Sequence, residues 1–362
     1  MLTNYLTIYL GFFIGIILFF HFTKLKKASK NKNTAIIKLS VIIPARNEEA
    51  TLPNILHDLE NQTNKPHEII CVNDNSQDAT SDIIKTHHVK CIDLDSLPKG
   101  WKGKPWASQN GAKAASGDVL LFIDADVRLS KYAIESLINE YDNKSPLSIQ
   151  PYHTVTKQHE YFSLFFNIIQ ICATAMSVLG IKNKIGFYGP VFMVSKELFD
   201  SYGGYEPVKN AVAEDFQLGK YYNKRGIYIN LLMGGDQISF TMYKESFKNV
   251  LEGWSKNFSS GSSALQWWLL IPIIIYVAYL TALPIELVNA FISSNLNHLA
   301  LLSVIYALTV IMIYRSARNI GTYPLYVCIF YPFYLLMFHV IFFYSIIGTY
   351  IFKTTTWKGR KL

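Results

Sequence analysis

Five consecutive apolar residues, Val119-Leu120-Leu121-Phe122-Ile123, stand between a Gly117-Asp118 turn and the triplet Asp124-Ala125-Asp126. A continuous apolar run of that length reads as a strand buried on both faces, as in a parallel sheet covered by helices. This commits the surrounding chain to an α/β architecture. It also puts two carboxylates at the C-terminal end of the strand, where open α/β sheets place their ligands. Hard cations such as Mg²⁺ take oxygen ligands and usually bridge one or two carboxylates to substrate phosphates. An acidic pair can equally cap a turn, and the motif alone leaves the two readings level.

The neighbouring segments alternate in the way a βαβ sheet requires. Lys38-Leu39-Ser40-Val41-Ile42-Ile43 is a short β-branched strand, followed by Pro44-Ala45-Arg46-Asn47-Glu48-Glu49 and a helical pattern through Leu52, Ile55, Leu56 and Leu59. Asn47 is the expected N-cap of that helix, with acidic residues in its first turn. Strands are expected at Glu68–Val72 and His88–Ile92, the first running into Asn73-Asp74-Asn75. The loop Lys99-Gly100-Trp101-Lys102-Gly103-Lys104 ends at Pro105, a residue favoured at a first helical position, so a helix is expected over Trp106–Ala115. Its lysines are either a solvated turn or a diphosphate site before a helix N-terminus. Beyond the acidic triplet the pattern predicts a helix at Lys131–Tyr141 and a strand at Leu147–Gln150. Further on come a strand entering a helix at Gly189–Val194, a turn at Tyr202-Gly203-Gly204-Tyr205, and a helix opened by Glu214-Asp215.

Other stretches do not suit a water-soluble domain. Apolar residues make up 50% of the 362, and mean hydropathy is +0.18. Leu2–Phe20 is almost wholly apolar and is followed, not preceded, by basic residues, which marks a retained anchor rather than a secretory signal. The net charge of +8 suits nucleic acid or an anionic membrane surface. Its placement favours the membrane, because Lys24, Lys26, Lys27, Lys30 and Lys32, and then Lys358, Arg360 and Lys361, flank apolar spans. Tyr161–Leu179 is expected as a buried or interfacial helix, and membrane spans at Trp267–Val288 and Leu299–Ile313. Arg315, Arg318 and the basic tail all belong on the cytoplasmic side, yet one span between them would separate them. Pro332 is therefore expected to break Pro324–Ile351 into a hairpin or an interfacial piece. The four cysteines fit no metal or redox spacing and read as inert apolar residues.

The motifs Ile42-Ile43-Pro44-Ala45-Arg46-Asn47-Glu48-Glu49, Val72-Asn73-Asp74, Asp124-Ala125-Asp126 and Glu214-Asp215 together resemble the inverting family 2 glycosyltransferases of GT-A fold. Ile149-Gln150-Pro151-Tyr152-His153, Tyr188-Gly189-Pro190-Val191, Glu252-Gly253-Trp254-Ser255-Lys256 and Trp357-Lys358-Gly359-Arg360 look like the branch that glycosylates the C30 carotenoid acid 4,4'-diaponeurosporenoate. The resemblance implies an α/β, Rossmann-like mixed sheet of GT-A type, with an N-terminal transmembrane anchor and C-terminal transmembrane helices. The expected boundaries are 1–22 for the anchor, 23–37 for a basic linker, 38–262 for a cytoplasmic GT-A domain, 263–352 for the membrane region and 353–362 for a basic tail.

The resemblance also assigns residues. Pro44, Ala45, Arg46 and Glu48 would line a uridine, and Asp74 would accept from the uracil N–H. Lys104 would approach the diphosphate and Asp124 the ribose or a metal-bound water. Asp126 would bind Mg²⁺ or Mn²⁺ directly. Asp215 would be the catalytic base with Glu214 orienting it, and Gly189, Pro190 and Trp254 would meet the acceptor. Trp254 is equally an interfacial anchor before the membrane region. The Gln-x-x-Arg-Trp motif of processive members is missing, which points to a single transfer. The expected partners are a UDP-sugar, a lipophilic acceptor and the plasma membrane, and not nucleic acid. The alternatives are transfer to another lipid or a polyprenyl phosphate, or a membrane scaffold or transport component without chemistry.

Overall fold

The computed structural model describes residues 2–28, 37–181, 183–211, 213–261, 266–347, 356–357 and 360–361. Lys30, Lys32, Lys358 and the end of the apolar stretch at Ile351 lie outside them. The chain forms two compact units: one comprises 23–152 with 183–241, the other 1–22, 153–182 and 242–362. The chain therefore crosses between units more often than a single boundary at 262 would require. Residues 153–182 belong with the apolar helices.

The first unit is built on a seven-stranded sheet in the order β3-β2-β1-β4-β8-β6-β9. Its strands are β1 (Leu39–Ala45), β2 (Glu68–Asn73), β3 (Lys90–Asp93), β4 (Val119–Ile123), β6 (Leu147–Gln150), β8 (Val191–Ser195) and β9 (Asn230–Met233). The β3-β2-β1-β4 ladder is parallel, while β8 runs antiparallel to both β4 and β6. This is the mixed sheet expected. All five residues of β4 are buried, as its unbroken apolar run requires. A short β5 (Val127–Leu129) follows the acidic triplet and pairs antiparallel with β10 (Ile238–Phe240), and β7 (Tyr152–His153) marks the crossing to the other unit.

Helices α2 (Leu52–Glu60), α3 (Thr80–Thr86), α4 (Gly103–Ala114), α5 (Ala133–Glu140), α7 (Lys196–Ser201) and α8 (Glu214–Asn223) complete this unit. Two expectations are corrected here. Asn47 is not the cap of α2, whose N-cap is Thr51. Asn47 instead takes a left-handed φ of 53°, and its side-chain oxygen accepts from the Gln77 N–H at 2.9 Å. Helix α4 begins at Gly103, three residues before the expected start, so Lys104 sits inside its first turn. Part of the supposed basic linker is structural as well. Leu25 N–H donates to Met233 O and Met233 N–H to Thr23 O, both at 2.8 Å, so the segment lies along the β9 edge with Leu25 buried. Burial pushes the Cys71 thiol up to about 12, consistent with an inert packing role.

The second unit holds the apolar helices α1 (Leu2–Leu18), α6 (Leu164–Ala173), α10 (Trp267–Ile292), α11 (Leu296–Ile320), α12 (Leu325–Ile329) and α13 (Tyr331–Ile347), with the amphipathic α9 (Phe247–Gly261). Among the described residues, only α10 and α11 are long and apolar enough to cross a bilayer. The 17 residues of α1 reach about 25 Å at 1.5 Å per residue, short of the roughly 30 Å hydrocarbon layer. Length alone therefore does not establish the N-terminal anchor. Gly11 and Gly15 of α1 meet Tyr279 and Tyr276 of α10 so closely that a Cβ at either would clash, the close approach that small residues permit between apolar helices. The expected break near Pro332 occurs at Phe330, between α12 and α13. Pro332 opens α13, where its missing N–H costs no hydrogen bond. The apolar Tyr161–Leu179 stretch contains α6, whose Leu164, Phe165, Phe166 and Ile168 are fully buried, so it is a core helix.

Candidate active site

The parallel register sets Ala45 of β1 beside Asn73 of β2, which brings the loops after both strands together. Asp74 N–H donates to Ala45 O at 2.9 Å. The Arg46 guanidinium crosses to Asp74, donating to its backbone oxygen at 2.8 Å and lying 3.7 Å from its carboxylate. Glu48 N–H donates to the Thr80 hydroxyl at 2.8 Å, and its carboxylate accepts from the Thr51 hydroxyl at 2.7 Å. Pro44, Ala45, Arg46, Glu48 and Asp74 thus sit together at the C-terminal edge of β1 and β2. The loops that hold them are cross-braced by side chains.

A second cluster forms one strand away. Asp124 leaves the end of β4 with its carboxylate 2.7 Å from Lys104 Nζ, at the start of α4. Glu214, the first residue of α8, lies 3.7 Å from the same ammonium. Burial works against the charged Lys104, but Asp124, Glu214 and Asp215 outweigh it and hold its pKa well above the ordinary lysine value. The Lys104 and Asp124 side chains are 36% and 25% exposed and Glu214 12%, so the cluster opens at the lysine and is recessed toward α8. Asp126 lies two residues past Asp124 in the tight turn that joins β4 to β5.

Gly189 and Pro190 connect these parts. Pro190 O accepts from Asp124 N–H at 2.9 Å, and Gly189 N–H donates to Asp215 Oδ2 at 3.1 Å. Phe216 N–H donates to the other Asp215 oxygen at 2.8 Å, so both carboxylate oxygens are oriented by backbone donors. A Cβ on Gly189 would stand 2.7 Å from Asp215 Oδ2, which leaves glycine as the only residue that fits there without displacing Asp215. Gly189 and Pro190, expected at the acceptor, are seen here as the link between β4 and α8.

Trp254 lies in the other unit and is 2% exposed. Its indole N–H donates to the Ser163 hydroxyl at 2.9 Å, and its ring stacks on Phe166 at 4.8 Å. In this conformation it packs inside its own unit. The sequence carried no signal for this, because a tryptophan before an apolar span looks the same whichever way its ring turns.

One ammonium among Asp124, Glu214 and Asp215 leaves the cluster with excess negative charge. All its donors are hard oxygens, which suit Mg²⁺ or Mn²⁺. No group of three or more metal-ligating side chains stands together among the described residues. A cation here would therefore share its shell with ligand oxygens, as Mg²⁺ does when it joins one or two carboxylates to phosphates.

Residues 40–203 match the model for glycosyl transferase family 2. Over 355 residues, 96% of this chain and 93% of theirs, the chain is 30% identical to the 4,4'-diaponeurosporenoate glycosyltransferases of Staphylococcus aureus strains bovine RF122 / ET3-1 and MRSA252. The chain belongs to glycosyl transferase family 2. It is a glycosyltransferase, and its sheet is of GT-A type. A mannosyltransferase from Pyrobaculum calidifontis, PcManGT, solved with GDP-Man and Mn²⁺, shares the fold with a TM-score of 0.53. That likeness covers 95% of this chain and 96% of the other at 15% identity.

Proposed function

We propose that this glycosyltransferase is membrane-attached and moves one hexose, glucose from UDP-glucose, onto the carboxyl group of 4,4'-diaponeurosporenoate, inverting the anomeric carbon. The observation that carries the reading is the near-full-length likeness to transferases named for that acid. The carboxylate–lysine cluster at the end of β4 supports it. The braced loops after β1 and β2 would take the uridine, with Pro44, Ala45, Arg46 and Glu48 shaping its bed and Asp74 meeting the uracil. Lys104 is the cation placed to meet the diphosphate. A divalent ion held at Asp126, with Asp124 nearby and the donor's phosphates completing its shell, would offset the charge growing on the leaving group.

In the transfer, an acceptor carboxylate oxygen attacks the anomeric carbon opposite the diphosphate. The ester C–O bond forms as the bond to phosphate breaks, and UDP leaves with the electron pair. A carboxylic acid with an ordinary pKa of roughly 4 to 5 is already ionised at neutral pH, so no proton has to be removed. Asp215, oriented by Gly189 and Phe216, then serves mainly to hold the sugar in line. For a hydroxyl acceptor it would have to act as general base. Lys24, Lys26 and Lys27, exposed just after α1, suit a cytoplasmic catalytic unit at the plasma membrane.

The test is to incubate membranes carrying the protein with UDP-glucose, the carotenoid acid and Mg²⁺ or Mn²⁺. The expected product is an ester heavier by one hexosyl residue, with β-linkage from an α-linked donor, and EDTA abolishes its formation. Release of no UDP from any UDP-sugar overturns the reading. Product on undecaprenyl phosphate but not on the acid replaces the acceptor.

A further inference from the structure

The turn Tyr202-Gly203-Gly204-Tyr205 follows α7 and takes no part in the reading above. Gly203 and Gly204 both adopt left-handed φ, 78° and 58°, and a Cβ on Gly204 would collide with Gln109 and the Phe199 ring. The chain bends back there so that Tyr205 N–H donates to Gln109 Oε1 of α4 at 2.7 Å. The Tyr205 ring meets Phe122 of β4 edge-on, with centroids 5.5 Å apart, and lies 5.7 Å from Phe199. Helix α4 supplies Lys104 and β4 leads into Asp124, so Tyr205 is pinned by both elements that build the cluster.

The residue is only 4% exposed, yet among the described residues its hydroxyl makes no hydrogen bond. Nor is that oxygen among the sealed polar atoms without partners, such as Tyr222 Oη and Trp106 Nε1. It therefore opens onto the small accessible remainder. Folded proteins ordinarily satisfy a buried hydroxyl, and one left unpaired invites an outside partner. Burial, opposed by Lys104 and assisted by Glu214 and Asp124, holds the phenol pKa well above its usual value, so the hydroxyl keeps its proton and remains a hydrogen-bond donor.

We propose that the Tyr205 hydroxyl is a donor-sugar contact, giving a hydrogen bond to a hydroxyl oxygen of the hexose of the sugar nucleotide. The inference rests on the transferase reading above. Charge favours the hexose over the diphosphate. With the diphosphate met by Lys104 and a divalent ion, the carboxylates Asp124, Glu214 and Asp215 are left to accept from sugar hydroxyls, and the uncharged Tyr205 hydroxyl, which offers a phosphate no charge, to donate to one.

The test compares wild type with Tyr205→Phe as full-length protein in detergent, reading KM for UDP-glucose, competitive inhibition by UDP, and thermal unfolding without ligand. Phenylalanine keeps the packing on Phe122 and Phe199. The expected result is a rise of about tenfold in donor KM, the worth of one hydrogen bond. Inhibition by UDP, which lacks the hexose, is unchanged, and the unliganded unfolding midpoint is equal or higher. Weakening of UDP by the same factor overturns the proposal by placing the hydroxyl on the diphosphate. An unchanged donor KM overturns it by leaving only a packing role. A lowered unliganded midpoint overturns it by revealing a protein partner. A wild type that binds no sugar nucleotide overturns the transferase reading itself, and that result is visible before the variant is compared.

Discussion

Asp215 shows how much of a residue's role depends on what surrounds it. Its position at the start of α8 alone suggests an acidic residue placed to suit a helix N-terminus. In the fold, two backbone N–H groups orient its carboxylate and Gly189 leaves room for it. Removing a needed general base costs roughly 10²- to 10⁴-fold in rate. Because a carotenoid carboxylate arrives ionised, Asp215→Asn is expected to lower kcat with that acceptor by less than this range, and to lower it fully with a hydroxyl-bearing lipid. Steady-state kinetics with the two acceptors checks it, and equal losses would return Asp215 to the role of obligate base.

At the scale of elements, a buried polar network joins His153, the last residue of β7, to the α11–α12 connection within the apolar unit. His153 lies 3.2 Å from Glu160 through Nε2 and 2.9 Å from the Tyr323 hydroxyl through Nδ1. Asn167 donates to the same hydroxyl at 3.0 Å, and Thr322 N–H donates to His153 O at 3.0 Å. Thr156 and Lys157 N–H groups also donate to Glu160, which fits an ionised carboxylate accepting from a neutral imidazole. Burial depresses the His153 pKa against the pull of Glu160. The Glu160 pKa is also lowered: burial opposes this, but hydrogen bonds from His153, Thr156 and Lys157 prevail. Both groups bind protons more weakly when folded than when unfolded. Their contribution is complete above an unfolded histidine pKa of about 6.5, declines as pH falls below it, and declines further below the carboxylate range. The unfolding midpoint in detergent should therefore be level above pH 7 and fall below about 6.5, with the histidine part of that slope absent in His153→Gln. A midpoint level down to pH 5 would refute it.

For the whole molecule, the decisive surface is the apolar one. Leu270, Ile274, Val288, Val304 and Ile311 of α10 and α11 are all exposed large apolar side chains. On the membrane-attached reading proposed above, lipid would cover that surface. Protein expressed in bacteria should remain in the membrane pellet after an alkaline carbonate wash, and recovery in the supernatant would refute membrane insertion.

A buried sheet domain was legible in the chain alone, because the turn-bounded apolar run Val119–Ile123 suits a strand covered on both faces and helical patterns alternate with it. The sequence by itself also determined the acidic residues at β4 and α8, because their motifs are local in the chain. Only the tertiary structure could give Asn47 its left-handed turn, since whether an asparagine caps a helix or braces a neighbouring loop depends on Gln77, thirty residues away. The burial of Trp254 on Phe166 and the assignment of 153–182 to the apolar unit depend on contacts distant in the chain. So does Tyr205, which looked like one end of a glycine turn until α4 and β4 closed around its ring. Periodicity and local motif report what a segment can become, while partners far along the chain decide which polar atom is satisfied and which is left open for a ligand.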